Sequence, residues 1–131
     1  VLHPGGALGR KLRTRVRDAM RADDLPILKP TDTLGQCLLT AARGRLGMVL
    51  VVDDGELVGV VCDAALHQAM DRHAADLSVS IDRIMRLDPP TVAPSTLLAE
   101  AERVMGEERH AYLVVVESGR GVVGVLERVR D

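Results

Sequence analysis

The fold of this chain is decided by the stretch MVLVVDDGELVGVV, residues 48–61. It contains two apolar, largely β-branched runs, 48–52 and 57–61, separated by Asp53-Asp54-Gly55. An Asp-Gly pair between two such runs is typical of a β-hairpin, because glycine adopts positive φ without steric cost. The runs are continuously apolar instead of alternating, which predicts strands that are covered on both faces.

A second copy of this pattern lies about 64 positions further along the chain. Residues 112–116 and 122–126 repeat the two apolar runs, with Ser118-Gly119 in the turn. The match extends well beyond the hairpin, which identifies an internal repeat. The further matching positions are Val16–Met20 with Ile81–Met85, Thr33 with Thr96, Arg45 with Arg109, and Gly59 with Gly124. Each copy is predicted to run helix, strand, helix, strand, strand, helix.

The helix before each hairpin begins at a polar residue. In the first copy Thr33 and Gln36 form a capping-box pattern, which satisfies backbone N–H groups at the helix start. In the second copy Ser95 or Thr96 is the predicted cap. Apolar residues at helical spacing then predict one buried face for each helix. These are Leu34, Leu38, Ala41 and Ala42 in the first copy, and Leu97, Ala101, Val104 and Met105 in the second.

One copy of about 60 residues would bury only about 60% of its surface and would be marginally stable alone. Two copies that pack their sheets together, with helices outside, solve this problem. The predicted fold class is therefore α+β, with two units of β-α-β-β-α order related by a pseudo-twofold axis.

Composition excludes several functions. The 131 residues carry a formal net charge of −2 and contain one Tyr, no Phe and no Trp, which argues against nucleic-acid binding by charge or by base stacking. No apolar run is long enough to span a membrane. Cys37 and Cys62 form no C-x-x-C motif and are expected to be buried free thiols. No metal cluster and no pairing of a nucleophile with a base is found, so the sequence predicts neither a metal site nor catalysis.

The β-α-β-β-α order, with a short helix ending in Met before it and a Gly-apolar-apolar stretch closing the hairpin, resembles the CBS domain. Two such domains in tandem resemble a Bateman module. The resemblance divides the chain into residues 16–76 and 77–131. It implies a regulatory function, with a nucleotide bound in a cleft between the two domains.

The first fifteen residues contain His3-Pro4 and a glycine-rich run that leads into Arg15–Met20. This junction, together with Arg45-Leu46-Gly47-Met48, resembles arabinose-5-phosphate isomerases of the KpsF/GutQ type. In those enzymes a sugar isomerase (SIS) domain precedes two CBS domains. The resemblance implies that residues 1–15 are a linker from an SIS domain that this sequence lacks, and that His3 is an active-site candidate only in the parent chain.

The same resemblance implies a cytoplasmic parent that interconverts ribulose 5-phosphate and arabinose 5-phosphate, a precursor step for the lipopolysaccharide sugar Kdo. It also implies contact with the SIS domain, homodimers formed through CBS pairs, and a homotetrameric parent. The fragment itself is expected to be non-catalytic and to require no cofactor.

The CBS resemblance implies that ligand contacts come from both copies. The family pattern after the hairpin is Ser/Thr-x-x-Asp, in which the carboxylate binds both ribose hydroxyls. Here Cys62 and Ala65 stand at those positions in the first copy, and Glu127 and Arg130 in the second. The implied effector is an adenosyl or cytidyl nucleotide, or a nucleotide-sugar such as CMP-Kdo. The candidate ligand-binding residues are Met20, Gly47, Met48, Val61, Cys62, Asp63, Tyr112, Leu113, Glu127, Arg128 and Arg130.

Several alternatives stay open at the level of sequence. Arg128 and Arg130 either hold a phosphate or carboxylate, or are solvated near the end of the sequence. Asp63 either binds a ligand or caps a helix over 64–72. Tyr112 either stacks on a base or fills an empty cleft. The absence of the Ser/Thr-x-x-Asp residues also favours a second function, a ligand-free module that mediates subunit association.

Overall fold

A computed structural model describes residues 13–72, 76–118 and 121–128. These residues form two three-stranded sheets, each with a parallel first pair and an antiparallel hairpin. The first sheet has the order β1-β2-β3 and the second β4-β5-β6. The elements are α1 (Val16–Ala19), β1 (Ile27–Leu28), α2 (Leu34–Gly44), β2 (Met48–Asp53), β3 (Glu56–Cys62), α3 (Asp63–Arg72), a 3₁₀ turn (Ile81–Arg83), β4 (Thr91–Val92), α4 (Leu98–Glu108), β5 (Tyr112–Glu117) and β6 (Gly121–Glu127).

The α+β class and the order of strands and helices around each hairpin are confirmed. The helix predicted after the second hairpin falls on residues that are partly outside the described part of the chain. The helix after the first hairpin begins at Asp63, one residue earlier than predicted.

The chain packs as two units whose boundaries differ from those of the sequence repeat. The described part of the sheet-1 unit consists of residues 24–72 and 76–89, and that of the sheet-2 unit combines residues 13–23 with 90–118 and 121–128. The short helical segment that begins each copy therefore packs on the sheet of the other copy. The pattern of the repeat could not predict this exchange, because both copies offer the same partner surface.

Backbone hydrogen bonds hold the two exchanged segments in equivalent ways. In the sheet-2 unit the Leu98 N–H donates to the Thr14 carbonyl at 2.8 Å, and the Val16 N–H donates to the Thr96 carbonyl at 2.8 Å. In the sheet-1 unit the Leu34 N–H donates to the Val79 carbonyl at 2.8 Å. A backbone carbonyl from a distant segment thus satisfies the first N–H group of each long helix.

The side-chain cap predicted for α2 is confirmed, and the one predicted for α4 is wrong. The Gln36 N–H donates to Thr33 Oγ1 at 3.2 Å, and the Thr33 N–H donates to Gln36 Oε1 at 2.7 Å. The N-cap of α4 is Leu97, which provides no side-chain cap. The Thr14 carbonyl accepts from the first N–H group of α4, and the helix begins two residues later than a Ser95 cap, or one residue later than a Thr96 cap, would place it.

Backbone irregularities repeat with the sequence. The hairpins have register shifts between Val51 and Val52 and between Val115 and Val116. Arg45 and Arg109 end their helices in the left-handed conformation, with φ of 53° and 58°. The two copies therefore share the same backbone irregularities at matching positions, as expected for an internal repeat.

Each sheet contains a glycine against which a methionine packs. A Cβ atom at Gly59 would lie 2.9 Å from Met85 Sδ, and one at Gly124 would lie 2.6 Å from Met20 Sδ. Any larger residue at either position would force the methionine away from the strand. Glycine is therefore required at both places by close approach.

The cores are aliphatic, as the composition predicts. In the sheet-1 unit Val49, Val51 and Val61 are fully buried with Leu34 and Cys37. In the sheet-2 unit Val16 and Val115 are fully buried, and Met105 is nearly so. Leu98 packs on this core, while Leu97, which was predicted to face it, is 37% exposed. Within the described residues, no helix combines the length and apolar character needed to cross a membrane.

Candidate functional site

The candidate residues of the first copy meet at one end of the first sheet. Met48 at the start of β2 pairs with Cys62 at the end of β3, and Val49 pairs with Val61. The Asp63 N–H donates to the Gly47 carbonyl at 3.1 Å, which closes the end of the hairpin. The structure therefore brings these predicted residues together.

Asp63 gives this end of the sheet a negative charge. It is the first residue of α3, where a carboxylate interacts favourably with the helix dipole. A Cβ atom at Gly47 would lie 3.7 Å from Asp63 Oδ2, so the carboxylate lies over this glycine. Burial and the charge of Asp63 together raise the pKa of the Cys37 thiol to about 11. A phosphate at this end would meet a carboxylate.

The candidate residues of the second copy meet in the same way at the end of the second sheet. Tyr112 pairs with Glu127. Leu113 pairs with Leu126 in the next register position. The Arg128 N–H donates to the Ala111 carbonyl at 2.9 Å, the counterpart of the bond between Asp63 and Gly47. Tyr112 is half-buried, and the Arg128 side chain is exposed.

The two strand ends thus share a backbone geometry and differ in their charged groups: the first has Asp63, and the second has Glu127 and Arg128. The same N–H to C=O closure presents a carboxylate, Asp63, in one unit and a guanidinium, Arg128, in the other. Guanidinium pairs with phosphate and carboxylate groups in a bidentate manner, whereas a carboxylate repels them. Of the two residues at these closures, Arg128 is therefore the one suited to contact an anionic ligand.

A cavity of about 280 Å³ opens beside Arg128. Its apolar walls come from Ala19 in α1, Leu98 and Met105 in α4, and Leu126 in β6. Its polar rim consists of Glu102, Glu127 and Arg128. The equivalent positions of the sheet-1 unit, Leu34 and Val61, pack against Leu66 and Ala69 of α3. The cavity therefore opens at the place where the helix predicted after β6 falls outside the described residues.

The corresponding cavity in the sheet-1 unit lies between α2 and α3 and measures about 240 Å³. Asp63 and His67 are its polar lining residues among those described, and it has no arginine or lysine there. Its remaining walls are apolar, from Leu38, Ala41, Ala42, Leu66 and Met70. The chemistry of the two cavities is therefore different.

Several predicted residues lie elsewhere or outside the described residues. Met20 packs against Gly124 in the middle of β6, so it supports the strand whose end carries Glu127 and Arg128. Ala65, at the position of the family's ribose-binding carboxylate, is half-buried in α3. His3 and Arg130 fall outside the described part of the chain. Cys37 is fully buried and Cys62 half-buried, and the two cysteines form no disulfide.

Sequence reasoning missed part of the cavity wall. Leu98, Glu102 and Met105 lie at i, i+4 and i+7 on α4, so their helical spacing places them on one face. This spacing could have predicted that the three residues lie together on one face of the helix. Ala19, by contrast, reaches the cavity only because the N-terminal segment, residues 14–21, packs on the second sheet. Across the described ranges, no group of three or more His, Cys, Asp or Glu side chains could hold a metal ion.

Curated relatives connect the chain with a sugar isomerase. The arabinose 5-phosphate isomerase KdsD of Pseudomonas aeruginosa is 38% identical over 126 residues, which is 95% of this chain. The KdsD enzyme of Escherichia coli K12 is also 38% identical over 126 residues. The chain spans under two-fifths of the length of these relatives, 39% and 38% respectively.

A solved structure and a family profile agree on the fold. The structure of CBSX2 in complex with AMP is 26% identical, has a TM-score of 0.74, and covers 88% of this chain and 90% of its own. The profile of the CBS domain matches residues 16–72 and again residues 81–129. The chain therefore belongs to the CBS domain family, with two CBS domains in tandem.

Proposed function

We propose that the chain is the regulatory CBS pair of a D-arabinose 5-phosphate isomerase. The observation that supports this proposal most is the 38% identity to KdsD across 95% of the chain. In this proposal residues 1–15 are the linker from an SIS domain, and the two CBS domains are residues 16–76 and 77–131. The parent is a cytoplasmic homotetramer that interconverts ribulose 5-phosphate and arabinose 5-phosphate, and His3 belongs to its active site.

The effector in this proposal is a nucleotide or nucleotide-sugar. CBSX2, which shares the fold, is described in complex with AMP. In this chain the exposed Arg128 at the end of the second sheet provides a cation for a phosphate or sugar-acid carboxylate. The other residues proposed to contribute to binding are Met20, Gly47, Met48, Val61, Cys62, Asp63, Tyr112, Leu113, Glu127 and Arg130.

Thermal unfolding with a panel of ligands tests this proposal. AMP, ATP, CMP and CMP-Kdo would each be added to the intact chain, and the midpoint of unfolding would be measured. A specific ligand at 100 times its Kd stabilises the native state by about 2.7 kcal/mol. For this chain length that corresponds to a rise of about 10 °C.

Two matched variants identify the residue responsible. Arg128→Glu should remove the shift produced by the effective ligand, because the cation is replaced by an anion. Arg83→Glu changes another exposed arginine, which lies in the sheet-1 unit, and should leave the shift unchanged. A shift that is the same in Arg128→Glu as in the natural chain would contradict the assignment of Arg128.

A second candidate function is a ligand-free module that mediates subunit association. It is favoured by Cys62 and Ala65, which stand where the family has the hydroxyl and the ribose-binding carboxylate. This function predicts a dimer by light scattering, and no shift with any member of the panel. A monomer that is stabilised by one of the nucleotides would exclude it.

A further inference from the structure

Met85 lies in the segment of residues 79–86, which follows α3 in the chain and docks on the first sheet. At the end of this segment, Arg86 and Val60 of β3 exchange two backbone hydrogen bonds of 2.8 and 3.1 Å. The side chain of Met85 covers the neighbouring residue of the strand, since a Cβ atom at Gly59 would lie 2.9 Å from its Sδ and 3.0 Å from its Cγ. The thioether therefore fills the space beside the strand at the point where the segment is bonded to β3.

The chain has both accessible and shielded methionines. Met85 packs on the sheet-1 core and is half-buried, so a small oxidant can reach it from the solvent side. Met20 and Met70 are half-buried as well, whereas Met48 and Met105 are only 2% and 1% exposed. The exposure of Met85 remains with α3 in place, whereas the helix expected in that position near Met20 lies outside the described residues.

The thioether of a methionine is oxidised to a sulfoxide by hydrogen peroxide. The sulfur gives two electrons to one peroxide oxygen, and an S–O bond forms as the O–O bond breaks. The other oxygen leaves as water, with the proton of the oxygen that is transferred. The product is polar and needs a hydrogen-bond partner, so it is unfavourable against an apolar core. At Met85 the oxidised group is therefore expected to move from the core side toward water.

We propose that Met85 is a reversible oxidation site and that its sulfoxide weakens the docking of residues 79–86 on β3. Arg86 follows Met85 directly, so movement of the sulfoxide away from Gly59 displaces the residue that is bonded to Val60. In the chain this segment leads into β4, the first strand of the second sheet. The site is independent of the proposed ligand.

The first test measures oxidation of each methionine. The intact chain would be treated with hydrogen peroxide, and its peptides would be followed by mass spectrometry over time. Met85 should be oxidised at least about tenfold faster than Met48 and Met105, because a buried side chain reacts only after local opening. Met70 is half-buried and should also react faster than that pair. Equal rates at Met85 and Met48 would overturn the proposal.

The second test measures hydrogen exchange before and after oxidation. The Val60 and Arg86 amides should exchange about tenfold faster in the oxidised chain, since an unsatisfied polar group favours opening of the segment. Reduction by methionine sulfoxide reductases A and B should restore the slower exchange. Oxidation of Met85 without faster exchange of these two amides would overturn the proposal.

Two matched variants assign the effect to one sulfur. Leucine is close to methionine in volume and has no sulfur to oxidise, so both variants keep an apolar side chain. Met85→Leu should abolish the acceleration at Val60 and Arg86, although Met20 and Met70 stay oxidisable. Met70→Leu should show the same acceleration as the natural chain. An acceleration that persists in Met85→Leu would assign the effect to another methionine and overturn the proposal.

Discussion

Replacing Gly124 with alanine would place a methyl group inside the contact between β6 and the N-terminal segment. The new Cβ atom would lie 2.6 Å from Met20 Sδ and 2.9 Å from both Met20 Cγ and the Arg21 carbonyl oxygen. Non-bonded heavy atoms favour separations of about 3.5–4.0 Å. The methionine would therefore have to retreat by about 1 Å, and the backbone of Arg21 by about half that distance.

The cost follows from these displacements. Overpacking of this kind costs about 1–3 kcal/mol, and weakening the hydrogen bonds between Arg21 and Val125 adds about 1 kcal/mol. We expect Gly124→Ala to lower the free energy of unfolding by about 2–4 kcal/mol. For a chain of this length the midpoint of thermal unfolding, measured by circular dichroism, should fall by about 8–16 °C.

A matched control and a rescue make this expectation falsifiable. A Cβ atom at Gly106 in α4 would have no heavy atom within 4 Å. Gly106→Ala should therefore stabilise the chain by about 1 kcal/mol through helix propensity. Met20→Ala combined with Gly124→Ala should cost less than the sum of the two single changes, because the sulfur no longer collides with the methyl group. An unchanged midpoint in Gly124→Ala would refute the reasoning.

Three further outcomes are expected. In urea unfolding, Thr33→Ala should lower the free energy of unfolding by about 1 kcal/mol, because it removes the side-chain cap of α2. Ser95→Ala removes no cap from α4 and should change the free energy of unfolding by less than about 0.5 kcal/mol. Equal effects of the two variants would contradict the assigned N-caps. The raised pKa of Cys37 means that the native thiol stays protonated while the unfolded one ionises, so stability should be fully present below pH 9 and should fall as the pH rises toward about 11. Cys37→Ala should remove that dependence in urea titrations at each pH, and a dependence that persists would assign it to other groups. Glu127→Gln should strengthen binding of AMP by about two- to fivefold in calorimetry, since it removes a negative charge beside Arg128 and keeps a hydrogen-bond acceptor; weaker binding would mean that the carboxylate itself holds the ligand.

Features of this fold that depend on local sequence were predictable. The hairpins follow from apolar runs on either side of Asp54-Gly55 and of the turn after Glu117. The cap of α2 follows from Thr33 and Gln36, which bond to each other and are three residues apart in the sequence. In each case the interacting groups are close in sequence, so the pattern contains the information.

Features that depend on distant segments were not predictable from the pattern. Met20 and Met85 occupy equivalent positions of the repeat, so the sequence does not indicate which of the two glycines, Gly59 or Gly124, each methionine contacts. The N-cap of α4 moved to Leu97 because the Thr14 carbonyl accepts from Leu98. The cavity was missed for the same reason, because its walls come from three segments that only the exchanged packing brings together.

The two copies carry different side chains at their strand ends, and this difference affects how many ligands one chain is expected to bind. Since the backbone closures at Asp63 and Arg128 are equivalent, with N–H to C=O distances of 3.1 and 2.9 Å, the side chains alone distinguish the two sites. Asp63 lies close enough to Cys37 to raise the pKa of its thiol, so its charge acts across the end of the first sheet. An anion that binds beside Arg128 is repelled there. In the proposed function, a module with two equal sites would respond to its effector through both sheets, whereas the difference between Asp63 and Arg128 favours a response through the second sheet. We therefore expect calorimetry to show saturation at one phosphate-bearing ligand per chain, and saturation at two would show that the charge at Asp63 does not decide binding.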